Sequence, residues 1–130
     1  MKKVAELRSS EKGQGMVEFI FVLPFLLLLL FGMAETGMIL NAKITATQAA
    51  RQGARSSVTL PKGSDYVGEA ESNVAAYMTN IGKSSGYSAD AEVLSSDSLS
   101  VTVVYNYKPS FIPGLPNPVP LKSTVIMRIE

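Results

Sequence analysis

The chain has 130 residues and a formal charge of +1, with no cysteine and no histidine. Without cysteine there is no disulfide framework and no thiolate metal site, and without histidine the commonest general base and metal ligand are missing. A near-neutral chain also lacks the basic stripe that nucleic-acid binding needs, so no nucleic-acid partner and no cofactor are expected.

Residues 1–13 are polar and net basic, with Lys2, Lys3, Arg8 and Lys12 against Glu6 and Glu11. Phe19 to Ala34 carries no charge and is dominated by Leu, Phe, Val and Ile; Glu35 interrupts, and apolar character resumes through Leu40. From Met16 to Ala42 the stretch meets the length of about 20 residues that a membrane-spanning helix requires. Beyond it, Asn41 to Arg55 ("NAKITATQAARQGAR") has no helix breaker before Gly53, so one continuous helix is expected over 16–55, roughly 60 Å long at 1.5 Å per residue. Half would lie in the bilayer and half outside it. Pro24 has no N–H for the carbonyl of Ile20, which weakens or kinks the helix there.

The outer half of this helix is patterned. At about 100° per residue, Ile39, Ala42, Ala46, Ala49, Ala50 and Gly53 share about one third of the circumference, while Gln48, Arg51 and Arg55 face away. A stripe of small residues lets another backbone approach closely. The partner is either the protein's own C-terminal part or a helix of another subunit.

From Ser56 the texture changes. "LPKGS" (Leu60 to Ser64) reads as a turn, and Ser64 is a candidate N-cap for a second helix over 65–81. Tyr66, Val67, Ala70, Val74, Tyr77, Met78 and Ile81 recur there at helical spacing. "ADAEVLSSDSLSVTVVYNY" reads as a hairpin that turns at Ser95 to Ser98, with Leu99, Val101, Val103, Tyr105 and Tyr107 alternating against more polar neighbours. Residues 108–120 form a proline-rich connection, which is incompatible with a central strand. "LKSTVIMRIE" alternates again, placing Leu121, Ser123, Val125, Met127 and Ile129 on one face. The fold class is therefore α+β: a long N-terminal transmembrane helix continuing into a small soluble domain of one further helix and about three antiparallel strands. Three zones result: a leader at 1–13, the transmembrane and stalk helix at 14–55, and an extracytoplasmic domain at 56–130 that leans on the long helix for part of its core.

The opening stretch admits three readings. A cleaved secretory signal fits the basic start, but the apolar run exceeds the usual length of about 7–15 residues and no small-x-small site follows it closely. A plain single-pass anchor explains the apolar run but not Glu18, since a charge at the centre of a span costs about 2.5–3.5 kcal/mol on insertion scales. The third reading rests on Gly13 to Phe19: a glycine, four residues, a glutamate and an aromatic. This resembles the N-terminus of type IV pilins and pseudopilins, and the resemblance implies cleavage between Gly13 and Gln14 by a prepilin peptidase. Gln14 then becomes the first residue and Glu18 the fifth. Cleavage exposes an α-amine with an ordinary pKa of about 7.7–8, and Glu18 lies about 6 Å further along the helix. In an assembly staggered by about one turn, Glu18 of one subunit meets the amine of a neighbour, where pairing in a low-dielectric setting matters most.

Gly13 to Arg55 is more specifically similar to the TadE-like family, pseudopilins of tight-adherence (Flp, type IVc) pilus systems. Val17-Glu18-Phe19, Pro24, the leucine run, Gly32, Glu35 and the closing Ala49-Ala50-Arg51-x-Gly53-Ala54-Arg55 carry the similarity. The ending "PLKSTVIMRIE" is loosely similar to the family's last strand, and residues 56–120 add nothing specific. The resemblance implies a precursor trimmed in the membrane, then a minor component that helps pilus assembly, adherence or secretion. The major Flp pilins are much shorter and largely lack a globular domain, which favours the minor role. Implied partners are the membrane, the prepilin peptidase, other pilins and pseudopilins, and the inner-membrane assembly platform. The implied location is the cytoplasmic (inner) membrane, single-pass, with the C-terminal domain outside, or the pilus itself.

Other classes compete poorly. A membrane-tethered enzyme finds serines but no histidine or cysteine to activate them, and Asp65, Glu69, Glu71, Asp90, Glu92 and Asp97 are scattered in polar contexts. A binding module on a plain anchor would use Pro109 to Pro120 as a polyproline-type ligand. A type II secretion pseudopilin often has Thr or Ser where this chain has Gly15. Lys2, Lys3, Arg8 and Lys12 precede the span, against Lys43, Arg51 and Arg55 beyond it. That slight bias favours a cytoplasmic N-terminus, the side on which a leader is processed.

Overall fold

The computed structural model describes residues 2–95, 97–112 and 114–129, with side chains from Gly13 onward. The charges read in Met1 to Lys12 therefore lie outside the described side chains. Helix α1 runs over Lys2–Val58 with Pro24 inside it. It begins earlier than the 16–55 expected from apolar content, because nothing in Lys2 to Gln14 breaks a helix and propagation costs little once a helix is nucleated.

Helix α2 spans Tyr66–Asn80. Asp65, rather than Ser64, caps it: Asp65 Oδ1 accepts the Gly68 N–H at 3.0 Å, the geometry of an N-cap carboxylate. Ile81 falls beyond the last turn and is 40% exposed, so it is not part of the apolar face. Strands β1 (Tyr87–Ser95), β2 (Ser98–Tyr107) and β3 (Val119–Arg128) form one antiparallel sheet in the order β1-β2-β3. Ser96, in the hairpin turn, lies outside the described residues. Strand β3 starts two residues earlier than read, taking in Pro120, which pairs with Asn106. An edge strand tolerates proline because the missing N–H need not serve a second neighbour.

The register aligns the inward faces. Ala91 opposes Val101, which opposes Val125; Val93 opposes Leu99, which opposes Met127; Tyr87 opposes Tyr105, which opposes Leu121. This face packs on α2 and on the outer part of α1. Ala46, Ala49, Ala50, Ala54 and Val58 of α1 join Ala70, Val74 and Met78 of α2 and Leu99, Val101 and Val103 of β2 in one buried cluster. Val125, Met127 and Tyr105 pack against it half-buried. The core is thin, and the outer part of α1 supplies much of it, as a small α+β unit requires.

Candidate functional site

Gly13, Gln14, Glu18, Phe19 and Pro24 stand on the free, N-terminal part of α1, all exposed. No neighbouring atom lies within 4 Å of where a Cβ would stand on Gly13. The apolar side chains continue this exposure: Phe21 is 78% exposed, Phe25 70% and Leu28 67%. In water such a surface would be strongly unfavourable, at roughly 25 cal/mol per Å² of apolar area. The helix over Gly13–Val58 is long and apolar enough to cross a membrane. Among the described residues it is the single helix of that kind, and its place near the N-terminus suggests membrane anchoring.

The small-residue stripe lies elsewhere. Ala42, Ala46, Ala49, Ala50 and Gly53 are all buried against the protein's own α2 and sheet. At Gly53 the approach is closest: a Cβ there would stand 2.6 Å from Val74 Cγ2 and 2.8 Å from the Ala70 carbonyl oxygen. Gln48, Arg51 and Arg55 face solvent, and Gln48 Oε1 accepts from the Tyr77 hydroxyl at 2.8 Å.

Between these two regions the structure builds a site that the sequence did not disclose. Glu35, set in the apolar helix, is 1% exposed. Its carboxylate is clasped by the end of β2 and the connection that follows. The Tyr107 hydroxyl donates to Oε1 at 2.7 Å, and the Phe111 N–H donates to Oε2 at 2.8 Å. The Ser110 N–H lies 3.3 Å from Oε2. A carboxylate is a strong acceptor for such donors, and charge-assisted bonds of this kind exceed neutral ones. Burial, together with the bond to Glu35 and its charge, pushes the Tyr107 hydroxyl up to about 12. One turn earlier on α1, the Phe31 ring stacks on Phe111, with centroids 5.9 Å apart and planes 7° from parallel. Leu27, Leu28, Phe31, Phe111 and Ile112 then line an open groove of about 280 Å³.

Two signals pointed toward this site. A glutamate inside an apolar helix needs a partner, and Tyr107 sits at the inward parity of β2, at the end of the strand. What the sequence does not give is the path of residues 108–118, which brings two backbone amides onto Glu35. Among the described residues no three His, Cys, Asp or Glu side chains gather into a group that could hold a metal.

Residues 13–55 match the model of the TadE-like protein family. The resemblance seen in the motifs thus holds over that segment, from Gly13 through Glu18, Pro24 and Glu35 to Arg55. The match covers about a third of the chain, and residues 56–130 lie outside it. No curated protein and no solved structure matches the chain.

Proposed function

We propose that this protein is a minor pseudopilin of a Tad/Flp (type IVc) pilus biogenesis system. A prepilin peptidase cuts it after Gly13, leaving Gln14 as the first residue. The mature chain is held in the cytoplasmic membrane with its N-terminus inside and residues from Lys43 onward outside. There it meets other pilins and pseudopilins and the assembly platform, with Glu18 pairing to the α-amine of a neighbour.

The observation that carries this reading is the placement of Glu18. It stands exposed on the unpartnered apolar helix, five positions after Gly13, in the segment that matches the TadE-like family. Among the described residues no hydrogen bond or ion pair engages its carboxylate. Paired across subunits it holds an assembly in register, whereas unpaired in lipid it penalises the lone monomer.

The test is complementation of a deletion strain with Glu18→Gln. The amide is cheaper than a carboxylate in lipid, so membrane level should hold or rise. Cleavage should persist, because Gly13 is intact. Surface piliation should fall, since removing one member of a desolvated pair costs about 3–5 kcal/mol. Normal piliation would return Glu18 to an incidental interfacial charge on a plain anchor. An intact wild-type mass that retains residues 1–13, in cells with an active prepilin peptidase, would remove the pseudopilin reading itself.

A further inference from the structure

We propose that the connection between β2 and β3 is a membrane wedge. Its tip, around Phe111, Ile112 and Leu115, is seated in the lipid leaflet on the domain's side of the bilayer, and acyl chains fill the groove it forms with α1. This rests on the reading of α1 as a membrane span, and the experiment below separates the two.

Depth along α1 carries the first step. Glu18 and Glu35 are 17 residues apart, about 25 Å at 1.5 Å per residue. A hydrocarbon core is about 30 Å thick. With Glu18 near one boundary, Glu35 stands near the other, and Phe31 lies about 6 Å inside it. The backbone amides of Ser110 and Phe111 stay at the level of Glu35, while the Phe111 ring stacks on Phe31 and so reaches below that level, to the outer end of the acyl chains. Phe111 remains 43% exposed there, and with Ile112 it lines the groove shared with Leu27 and Leu28 of the span.

Composition carries the second. Lipid-exposed irregular backbone is excluded from the hydrocarbon region and tolerated only where protein or water covers it, so the connection's backbone stays at the interfacial edge and only its apolar side chains enter. In residues 108–118, Pro109, Pro113, Pro116 and Pro118 have no N–H to satisfy. The N–H groups of Ser110 and Phe111 are turned onto Glu35. The segment has no acid, and its single charge, Lys108, stands at its start, beside Tyr107 and the boundary. Further out on α1, exposed Lys43 donates to the backbone carbonyl of Lys122, itself exposed. Three lysines thus stand at or above the boundary, where lipid phosphates lie, and the helix carries none from Phe19 to Ala42. The apolar tip and the cationic rim together match a phospholipid leaflet. A partner protein would need neither the removal of backbone donors nor the rim.

The protein has no tryptophan, so each introduced indole is a sole reporter. The full chain is placed in phosphatidylethanolamine–phosphatidylglycerol vesicles doped with phosphatidylcholine brominated either near the headgroup or near the acyl-chain end. Phe25→Trp, midway between Glu18 and Glu35, reports the span and should lose most of its emission to the deep bromines. Phe111→Trp should lose most of its emission to the shallow bromines, and Ile112→Trp should do the same should the stacked position not tolerate an indole. Leu94→Trp, at the opposite end of the sheet, should be quenched by neither. Quenching of Phe25→Trp with none of Phe111→Trp and Ile112→Trp would overturn the wedge and leave the span standing. Emission from both loop variants that is blue-shifted yet unquenched would assign the groove to a second copy and likewise overturn it. Loss of quenching at Phe25→Trp as well would remove the span reading underneath.

Discussion

Replacing Gly53 by alanine tests whether the outer part of α1 is a working piece of the folded domain. The added methyl would meet Val74 Cγ2 at 2.6 Å and the Ala70 carbonyl oxygen at 2.8 Å. Ordinary contact requires about 3.5–4.0 Å between carbons, so α2 must retreat by several tenths of an ångström or more. Val74 cannot simply rotate away, because it is fully buried among α1, α2 and the sheet. Overpacking costs about 1–3 kcal/mol, and because one of the clashes is with a backbone carbonyl that cannot rotate away, this one falls at about 2–3 kcal/mol. Against it stands the helix-propensity gain of alanine over glycine, about 1 kcal/mol. The net expectation is a loss of about 1–2 kcal/mol, and at about 4–8 °C per kcal/mol for a domain of this size the melting temperature should fall by about 4–16 °C. The assay is thermal unfolding of the full chain in detergent, followed by the near-ultraviolet signal of its tyrosines, which the micelle-bound helix does not mask. Gly37→Ala is the control: no atom lies within 4 Å of its Cβ position, so only the propensity gain applies. A Gly53→Ala protein that melts at or above the wild-type temperature would refute the close approach of the two helices, as would an equal loss at Gly37→Ala.

Met78→Ala, which empties a fully buried position of the core, should cost about 2–5 kcal/mol in chemical denaturation. Tyr107→Phe removes the hydroxyl that binds Glu35, and should increase protease cleavage between Lys108 and Pro118 while leaving the core strands protected. The Tyr107 hydroxyl is raised to about 12 in the fold, against an ordinary value of about 10. Its share of stability is therefore complete below about pH 10 and lost as pH rises toward 12, so the wild type should weaken more steeply than Tyr107→Phe between those values in urea midpoints measured across pH.

The sequence was most informative where one periodicity acts over many residues. The period-2 alternation of Leu99 to Tyr107 and of Leu121 to Ile129 placed both inward faces, and the structure buries or half-buries those residues on one side of the sheet. The period-3.6 recurrence of Ala70, Val74 and Met78 likewise marked the buried stripe of α2. Element ends were less legible, because a cap is decided by local geometry: Ser64 and Asp65 are both capable, and Asp65 is the one whose carboxylate reaches the Gly68 N–H. The Glu35 clasp was out of reach for a different reason. Its donors are a side chain and two main-chain amides separated from Glu35 by 72 to 76 residues, and no pattern in a single sequence encodes where an irregular proline-rich connection returns. Within the apolar run Glu35 looked like an interruption, although it is the residue on which that connection closes.

The clasp has a consequence for orientation. The domain is fixed to α1 at two heights, by Glu35 below and by the run from Ala46 to Val58 above. Two attachments along one axis remove the freedom to swivel. Glu18 and Glu35 are separated by 17 residues of the same helix, which at 100° per residue sets them about 100° apart around its axis. The bearing of Glu18 inside the bilayer therefore dictates the bearing of the sheet outside it. Under the proposed pairing, a neighbour that engages Glu18 would also choose which compass direction the solvent-facing side of β3 presents, so a contact made in the membrane would aim a surface well beyond it.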